Sequence, residues 1–224
     1  MPQSHKQLSL LLNPIRRRIY ETVCECPGIH FFRLASKMTT SQGTLDWHLR
    51  RLEEEELLRS TKYGGKRIFY PQKLTNVECA RAFAALRSKT AQQIFHHVID
   101  HPGINQQKIA DAVGVHHDTV RYHLTRFETI ELVERFRDGR EVRVFLGKLG
   151  EQFVNGNFKK NTKHFVSFLM EKLREGCLTP VNVSRNEDQV RLQVNCPDNK
   201  KFELTINFKG WGVHSSKEKH AVTA

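Results

Sequence analysis

The chain has 224 residues, with 36 Lys or Arg against 24 Asp or Glu, for a formal net charge of +12. That length buries a real core and holds one large or two to three small domains, and so basic a balance favours an anionic partner such as nucleic acid. Five scattered cysteines, Cys24, Cys26, Cys79, Cys177 and Cys196, exclude a secreted disulfide framework, and no apolar run approaches the roughly 18 residues of a membrane span.

The start, Met1 to Lys6, has no signal-peptide core beyond the short Leu8–Leu12 run, which Pro14 and three arginines follow. The expectation is a cytoplasmic, nucleoid-associated protein without membrane attachment. Residues 1–75 hold 13 basic and 7 acidic residues, 76–150 hold 11 and 9, and 151–224 hold 12 and 8, so the excess is largest at the N-terminal end.

Residues 8–13 open a helix or pack as an apolar arm, and Asn13-Pro14 reads as a cap followed by proline at the first helical position. The first clear helix spans about 14–25, with Ile15, Ile19 and Val23 on one stripe, and Pro27-Gly28 ends it. A second helix at about 31–38 leads through a short turn into a third at 41–55, the rhythm of a helix-turn-helix. In the third, Leu45, Leu49 and Leu52 form one apolar face, while Gln42, Gly43, Asp46, Arg50 and most of Trp47 point elsewhere. Thr40 or Ser41 is its N-cap. Two short extended runs, 57–63 and 66–70, then flank Gly64-Gly65 and read as a hairpin.

A constant offset of 75 residues superposes a second unit on the first without a gap. Pro27-Gly28-Ile29 falls on Pro102-Gly103-Ile104, Leu34-Ala35 on Ile109-Ala110, Trp47-His48-Leu49 on Tyr122-His123-Leu124, Leu57-Leu58 on Leu132-Val133, and Gly64 on Gly139. Apolar positions, turn residues and hairpin tip agree, so one fold occurs twice. Between the two, Thr75-Asn76-Val77-Glu78 is a capping-box sequence opening a helix through about Leu86.

The last third departs from this pattern. Asn157 caps a helix of about 158–175 whose apolar side carries Phe158, Phe165, Phe168, Leu169 and Leu173, and whose wet side carries Lys159, Lys160, Lys163, Lys172 and Arg174. Period-two runs at 181–183, 190–196 and 202–208, separated by polar turns, predict an antiparallel meander with one apolar face, to be covered by that helix or by a second chain. Residues 209–224 are mostly polar, with Trp211 and Val213 among the exceptions, and are expected to fray.

Thr44-Leu45-Asp46-Trp47-His48-Leu49-Arg50-Arg51-Leu52-Glu53 before Glu56-Leu57-Leu58, and Thr119-Val120-Arg121-Tyr122-His123-Leu124-Thr125-Arg126-Phe127-Glu128 before Glu131-Leu132-Val133, resemble the recognition helix and wing start of prokaryotic winged helix-turn-helix regulators. The closest type is the arsenic-repressor-like group, especially archaeal proteins with two such modules in one chain. The likeness covers about 14–150. It implies an α+β fold with two tandem winged helix-turn-helix modules joined by a helix, followed by a C-terminal helix and small antiparallel β-meander. The domains expected are 8–74, a connector at 75–88, 89–150, and 151–224. It implies a DNA-binding transcriptional regulator, often a dimeric repressor, and no enzyme. The Cys-x-Cys metal sensor of some such repressors is absent from 41–55 and 116–130.

In such a module the recognition helix enters the major groove and the wing lies on the flanking backbone or minor groove. The first unit then offers Ser41, Gln42, Thr44 and Trp47 to bases or sugars, with Gln42 able to present a bidentate amide to adenine, and Arg50 and Arg51 to phosphate. Trp47 could equally be a packing residue. The second offers His116, His117, Thr119, Arg121, Tyr122 and Arg126, and since Arg121 replaces Asp46 the two helices read different bases. His48 and His123 recur just before a core leucine and read as structural. The wings carry Lys62, Lys66 and Arg67 in the first unit, and Arg135, Arg137, Arg140 and Arg143 in the second. His116-His117 with His101 or His96 is an alternative metal group, but no spacing fixes a fourth ligand, and Cys24-Glu25-Cys26 is a weak metal or redox pattern. No cofactor is expected. No Ser-His-Asp grouping, phosphate loop or His-Glu-x-x-His motif supports catalysis. The expected partners are double-stranded DNA and, through 151–224, a second copy of the chain. An architectural DNA-binding protein of low specificity, or a protein-interaction module of a larger complex, are the competing readings.

Overall fold

The computed structural model describes residues 10–155, 162–186 and 189–208. Asn13 starts the first helix, α1 (Pro14–Glu25): its Oδ1 accepts from Arg16 N at 3.0 Å, and Pro14 takes a position whose N–H would have no helical partner anyway. There follow β1 (Ile29–His30), α2 (Phe31–Ala35), α3 (Gln42–Glu54) and a hairpin of β2 (Leu58–Tyr63) and β3 (Lys66–Pro71). The helix expected at 31–38 is shorter, ending at Ala35. The strand β1 was not anticipated; its two residues are too few to alternate, and what recruits them is the pairing of Ile29 with Phe69 and His30 with Ile68. The resulting sheet has the order β1-β3-β2.

Asn76 opens α4 (Val77–Ala85), its Oδ1 accepting from Cys79 N at 2.8 Å, so Asn76 fills the capping role rather than the Thr75 that a Thr-x-x-Glu box implies. Ser88 then caps α5 (Lys89–Asp100). Next come β4 (Ile104–Asn105), α6 (Gln106–Val113), α7 (His117–Glu128), β5 (Val133–Asp138) and β6 (Glu141–Leu146), with sheet order β4-β6-β5.

The repeat inferred from sequence is repeated in the backbone. Left-handed residues fall in pairs 75 apart: Gly28 and Gly103, Glu56 and Glu131, Gly64 and Gly139. The Leu57 N to Leu52 O bond of 3.0 Å returns as Leu132 N to Phe127 O at 2.9 Å. The hairpin tips differ in one respect. Gly64 and Gly65 both have positive φ, 54° and 74°, as a type I′ turn requires, whereas only Gly139 does in the second tip, which leaves its neighbour free to be Arg140.

Helix α8 (Lys148–Val154) was also not anticipated, being seven residues long with two glycines at its start. Those glycines are why it forms here: a Cβ on Gly147 would stand 2.4 Å from Glu131 O, and one on Gly150 2.2 Å from Leu132 O, so only bare backbone fits against the start of β5. The last described elements are α9 (Thr162–Glu175), β7 (Thr179–Arg185), β8 (Gln189–Asn195) and β9 (Lys201–Asn207), in the order β7-β8-β9. The expected Asn157 cap with Phe158, Lys159 and Lys160, the Glu187-Asp188 turn, the arm before Leu10, and Trp211 and Val213 lie outside the described residues.

Two compact units result. One takes in the described parts of Met1–Ala80 and Phe158–Trp211, the other those of Arg81–Asn157. In the first, the meander turns Val190, Leu192, Val194, Leu204 and Ile206 inward, packing β9 on α1 and β7 on α9, so cover comes from two helices of the same chain. The β9 edge is closed by α1: Thr205 N donates to Glu21 Oε1 at 3.0 Å, and the Arg17 guanidinium lies 4.4 Å from the Phe202 ring centre. Among the described residues no helix is long and apolar enough to cross a membrane.

The tight seating of α8 makes a specific prediction. Gly150→Ala forces a methyl group against the Leu132 carbonyl and costs about 1–3 kcal/mol, read as a lower urea midpoint. An unchanged midpoint would mean that α8 is not held so closely.

Candidate nucleic-acid interface

Helix α3 buries Leu45, Leu49 and Leu52 completely, together with His48. Because side chains three and four apart share a face, this fixes what points outward: Gln42, Gly43, Trp47 and Arg50 are exposed. Ser41 is the N-cap, its Oγ accepting from Thr44 N at 3.2 Å and lying 2.9 Å from Thr44 Oγ1. Both hydroxyls are thus exposed but committed to the cap, while the Gln42 amide is presented at the helix start.

The arginines of this face are held by acids. Arg50 donates Nε and Nη2 to Asp46 Oδ2 at 2.9 and 2.6 Å, and Arg51 Nη1 donates to Glu54 Oε2 at 2.7 Å. Arg67, on β3, reaches back to α3, pairing with Glu53 and standing 3.5 Å from Asp46 Oδ1, and donates Nε to Ser60 Oγ at 3.0 Å. Exposed pairs of this kind contribute about 0–1 kcal/mol each, so a phosphate can take over such a guanidinium at little cost.

Helix α7 repeats the scheme with different outward residues. Val120, Leu124 and Phe127 are buried, and His116, His117, Arg121 and Tyr122 are exposed, with Thr119 half-buried. His116 occupies the place of Ser41 and caps the helix with Nδ1, accepting from Asp118 N at 3.3 Å. Gln106 of α6 donates Nε2 to His117 O at 3.1 Å. Arg121 Nη2 lies 2.5 Å from Asp118 Oδ1, and Arg126 Nη1 donates to the Tyr122 hydroxyl at 2.5 Å. Glu128, the counterpart of Glu53, is again bonded to an arginine of the hairpin, here Arg135 of β5 instead of one on the second strand. The helix and its hairpin are thereby tied at the same acid in both units.

The hairpin tips contrast with the helices. Lys62, Lys66, Arg137 and Arg140 are exposed and make no ion pair among the described residues, while Arg143 pairs with Asp138 at 2.8 Å and Glu141 at 3.5 Å. Four cations therefore stand unneutralised at the tips.

Trp47 is 53% exposed and Tyr122 55%, unusual for large aromatics and matched across the repeat. Each packs one side on its following histidine, and the Arg16 guanidinium sits 5.3 Å from the Trp47 ring centre. Arg16 was not among the expected residues. It is buried, donates Nε to His48 Nδ1 at 3.3 Å, and aligns with Ala91 in the second unit, so the first aromatic alone stands over a buried cation. The spacings Asp46/Arg50 and Tyr122/Arg126, four apart on a helix, signal the pairings seen; nothing in the sequence signals Arg16 under Trp47.

Among the described residues, His116, His117 and Asp118 are the group whose ligand atoms converge, and neither His96 nor His101 joins them. Cys24 is fully buried and burial pushes its thiol well up, the reverse of what a thiolate ligand needs.

Residues 13–81 match the family model HTH_HVO_0163_N, N-terminal HTH domain. An uncharacterized HTH-type transcriptional regulator from Methanocaldococcus jannaschii is 30% identical over 139 residues, or 62% of this chain and 35% of the relative. The chain thus spans about a third of the length of that curated relative. Among solved structures, an ArsR-like transcriptional regulator from a Rhodococcus species is similar at 21% identity, over 43% of this chain and 87% of that one, with a TM-score of 0.35. MepR, a transcription regulator of the Staphylococcus aureus multidrug efflux pump MepA, is similar at 22% identity over 38% of this chain and 65% of that one, with a TM-score of 0.29. Each of these three is a transcriptional regulator.

The two histidines behind the exposed aromatics give a pH prediction. Burial first and Arg16 second hold His48 below the ordinary imidazole value of 6.5, and burial then Arg126 do the same for His123. A depressed histidine favours the fold while neutral: its contribution is present above pH 6.5 and is lost as pH falls through the lower folded value. Thermal midpoints measured from about pH 7 to about pH 5 fall for the wild type, and fall less for the double variant His48→Gln/His123→Gln. Parallel profiles would remove these histidines from the acid response.

Proposed function

We propose that this protein is a sequence-specific double-stranded DNA-binding transcriptional regulator built of two tandem winged helix-turn-helix modules. The modules take in 8–74 and 89–150, with 75–88 connecting them. The observation that carries this reading is the twofold coincidence, at an offset of 75, of an outward polar helix start with an exposed aromatic and a cationic hairpin tip.

In each module the helix start enters the major groove. Gln42 offers its amide to adenine, and Trp47 meets sugar or a thymine methyl. In the second module His117 and Arg121 stand where the first has Gln42 and Asp46, so one chain reads two different half-sites. Ser41 and Thr44 hold the first helix start in position and contact backbone, and Thr119 does the same for the second. Arg50, Arg51, Arg67 and Arg143 exchange acid partners for phosphate and Arg126 exchanges the Tyr122 hydroxyl, whereas Lys62, Lys66, Arg137 and Arg140 reach phosphate without such an exchange. Residues 151–224 serve self-association or effector response, and their seating on α1 gives such a signal a path to the first module.

Selection of genome fragments with the purified protein, followed by footprinting, tests this. One saturable footprint is expected, with scrambled duplex bound far more weakly at physiological salt; equal affinity for both would leave only charge-driven binding. The tip cations make a second prediction. Lys62→Ala/Lys66→Ala/Arg137→Ala/Arg140→Ala flattens the dependence of log affinity on log salt by about one unit per cation removed, with base preference retained. An unchanged slope would take the hairpins out of the interface.

A further inference from the structure

The start of α7 differs from that of α3 by more than an exchange of base-reading groups. Where the first unit has Ser41-Gln42-Gly43, the second has His116-His117-Asp118, and the three side chains point to one spot. His116 Nδ1 lies 3.3 Å from Asp118 Oδ2 and His117 Nε2 lies 3.4 Å from Asp118 Oδ1, with the imidazole ring centres 4.2 Å apart. A tetrahedral ion bound at about 2.1 Å needs ligand atoms about 3.4 Å apart. Each imidazole stands at about that distance from an Asp118 oxygen, the two from different oxygens, and one ligand atom from each of the three residues lies within 4.8 Å of the others.

We propose that His116, His117 and Asp118 form a divalent transition-metal site that controls the DNA-facing charge of α7. Two imidazoles and one carboxylate suit Zn²⁺, Co²⁺ or Ni²⁺, whereas Mg²⁺ and Ca²⁺ want more oxygen ligands. The competing contacts define what binding changes. Asp118 now pairs with Arg121 at 2.5 Å and its N–H donates to His116 Nδ1; the ion displaces both. A divalent ion adds two positive charges at this spot, Arg121 is released toward the duplex, and the freed amide joins the helix start as an anion donor. Three protein ligands leave a fourth position, open to water or a phosphate oxygen. The positive end of the helix dipole opposes a cation here and the Asp118 carboxylate offsets it, so the ion is held weakly enough to exchange. The first unit has no such ligands, so control falls on one of the two helices.

The regulatory half of this proposal rests on the DNA-binding reading; the metal site itself does not. The variant His116→Ser/His117→Gln/Asp118→Gly writes into α7 the start that α3 already uses, and His117→Ala is a second, milder change. Cobalt chloride is titrated into the full chain of each and followed by visible absorption. The wild type is expected to show one equivalent of tetrahedral Co²⁺ more than either variant, displaced by Zn²⁺ and unaffected by Mg²⁺. With a selected duplex, Zn²⁺ tightens wild-type binding and steepens its salt dependence by about one unit, and leaves the triple variant unchanged. Equal cobalt uptake by wild type and both variants overturns the site. A cobalt difference without a zinc effect on DNA affinity overturns the control. If neither protein binds any duplex, the DNA reading fails while the cobalt difference still decides the metal site.

Discussion

The arrangement depends on one constraint: α3 and α7 must each bury one side completely. Leu45, Leu49 and Leu52, and Val120, Leu124 and Phe127, have no exposed surface. Burying a side chain of that size contributes about 1.5–3 kcal/mol, against about 0–1 for an exposed ion pair. The core therefore sets the rotation of each helix about its axis, and the ion pairs follow it. Gln42 and Trp47, or His117 and Tyr122, face outward because those apolar side chains face in.

On that fixed frame the charges divide into two kinds. Arginines on the helices and hairpin roots are engaged by Asp46, Glu53, Glu54, Asp118, Glu128 and Asp138, and the tips carry the cations with no such partner. Acids among the arginines lower non-specific attraction, since any anion has to compete with a carboxylate already in place. The Glu53 and Glu128 ties bind helix to hairpin in both units, yet the arginine comes from β3 in one and from β5 in the other. The geometry is kept while the chain position that supplies it has moved.

Much of this was legible from residue pattern. The 75-residue repeat, the helix cap at Asn13, the choice of Thr40 or Ser41 for the third helix, the Gly64-Gly65 tip and the meander all follow from local rules, because the groups that decide them are near neighbours in the chain. Elements decided by distant partners were not legible. The strands β1 and β4 have two residues each and exist only through pairing with β3 and β6. Helix α8 depends on the bare backbone of Gly147 and Gly150 meeting Glu131 and Leu132. Arg16 beneath Trp47 joins residues 32 apart through His48, and Glu21 holding Thr205 joins residues 184 apart. At the candidate interface the residue types were readable, but which arginines were already engaged was not, except where a four-residue spacing made the partner a helical neighbour.

Hydrogen–deuterium exchange of the full chain, with and without a selected duplex, tests most directly whether the outward faces of α3 and α7 and their hairpins meet DNA. Added protection is expected in peptides covering 41–51 and 116–126, with weaker protection at 62–67 and 137–143. Protection confined to 179–207, or none in either helix, would contradict it.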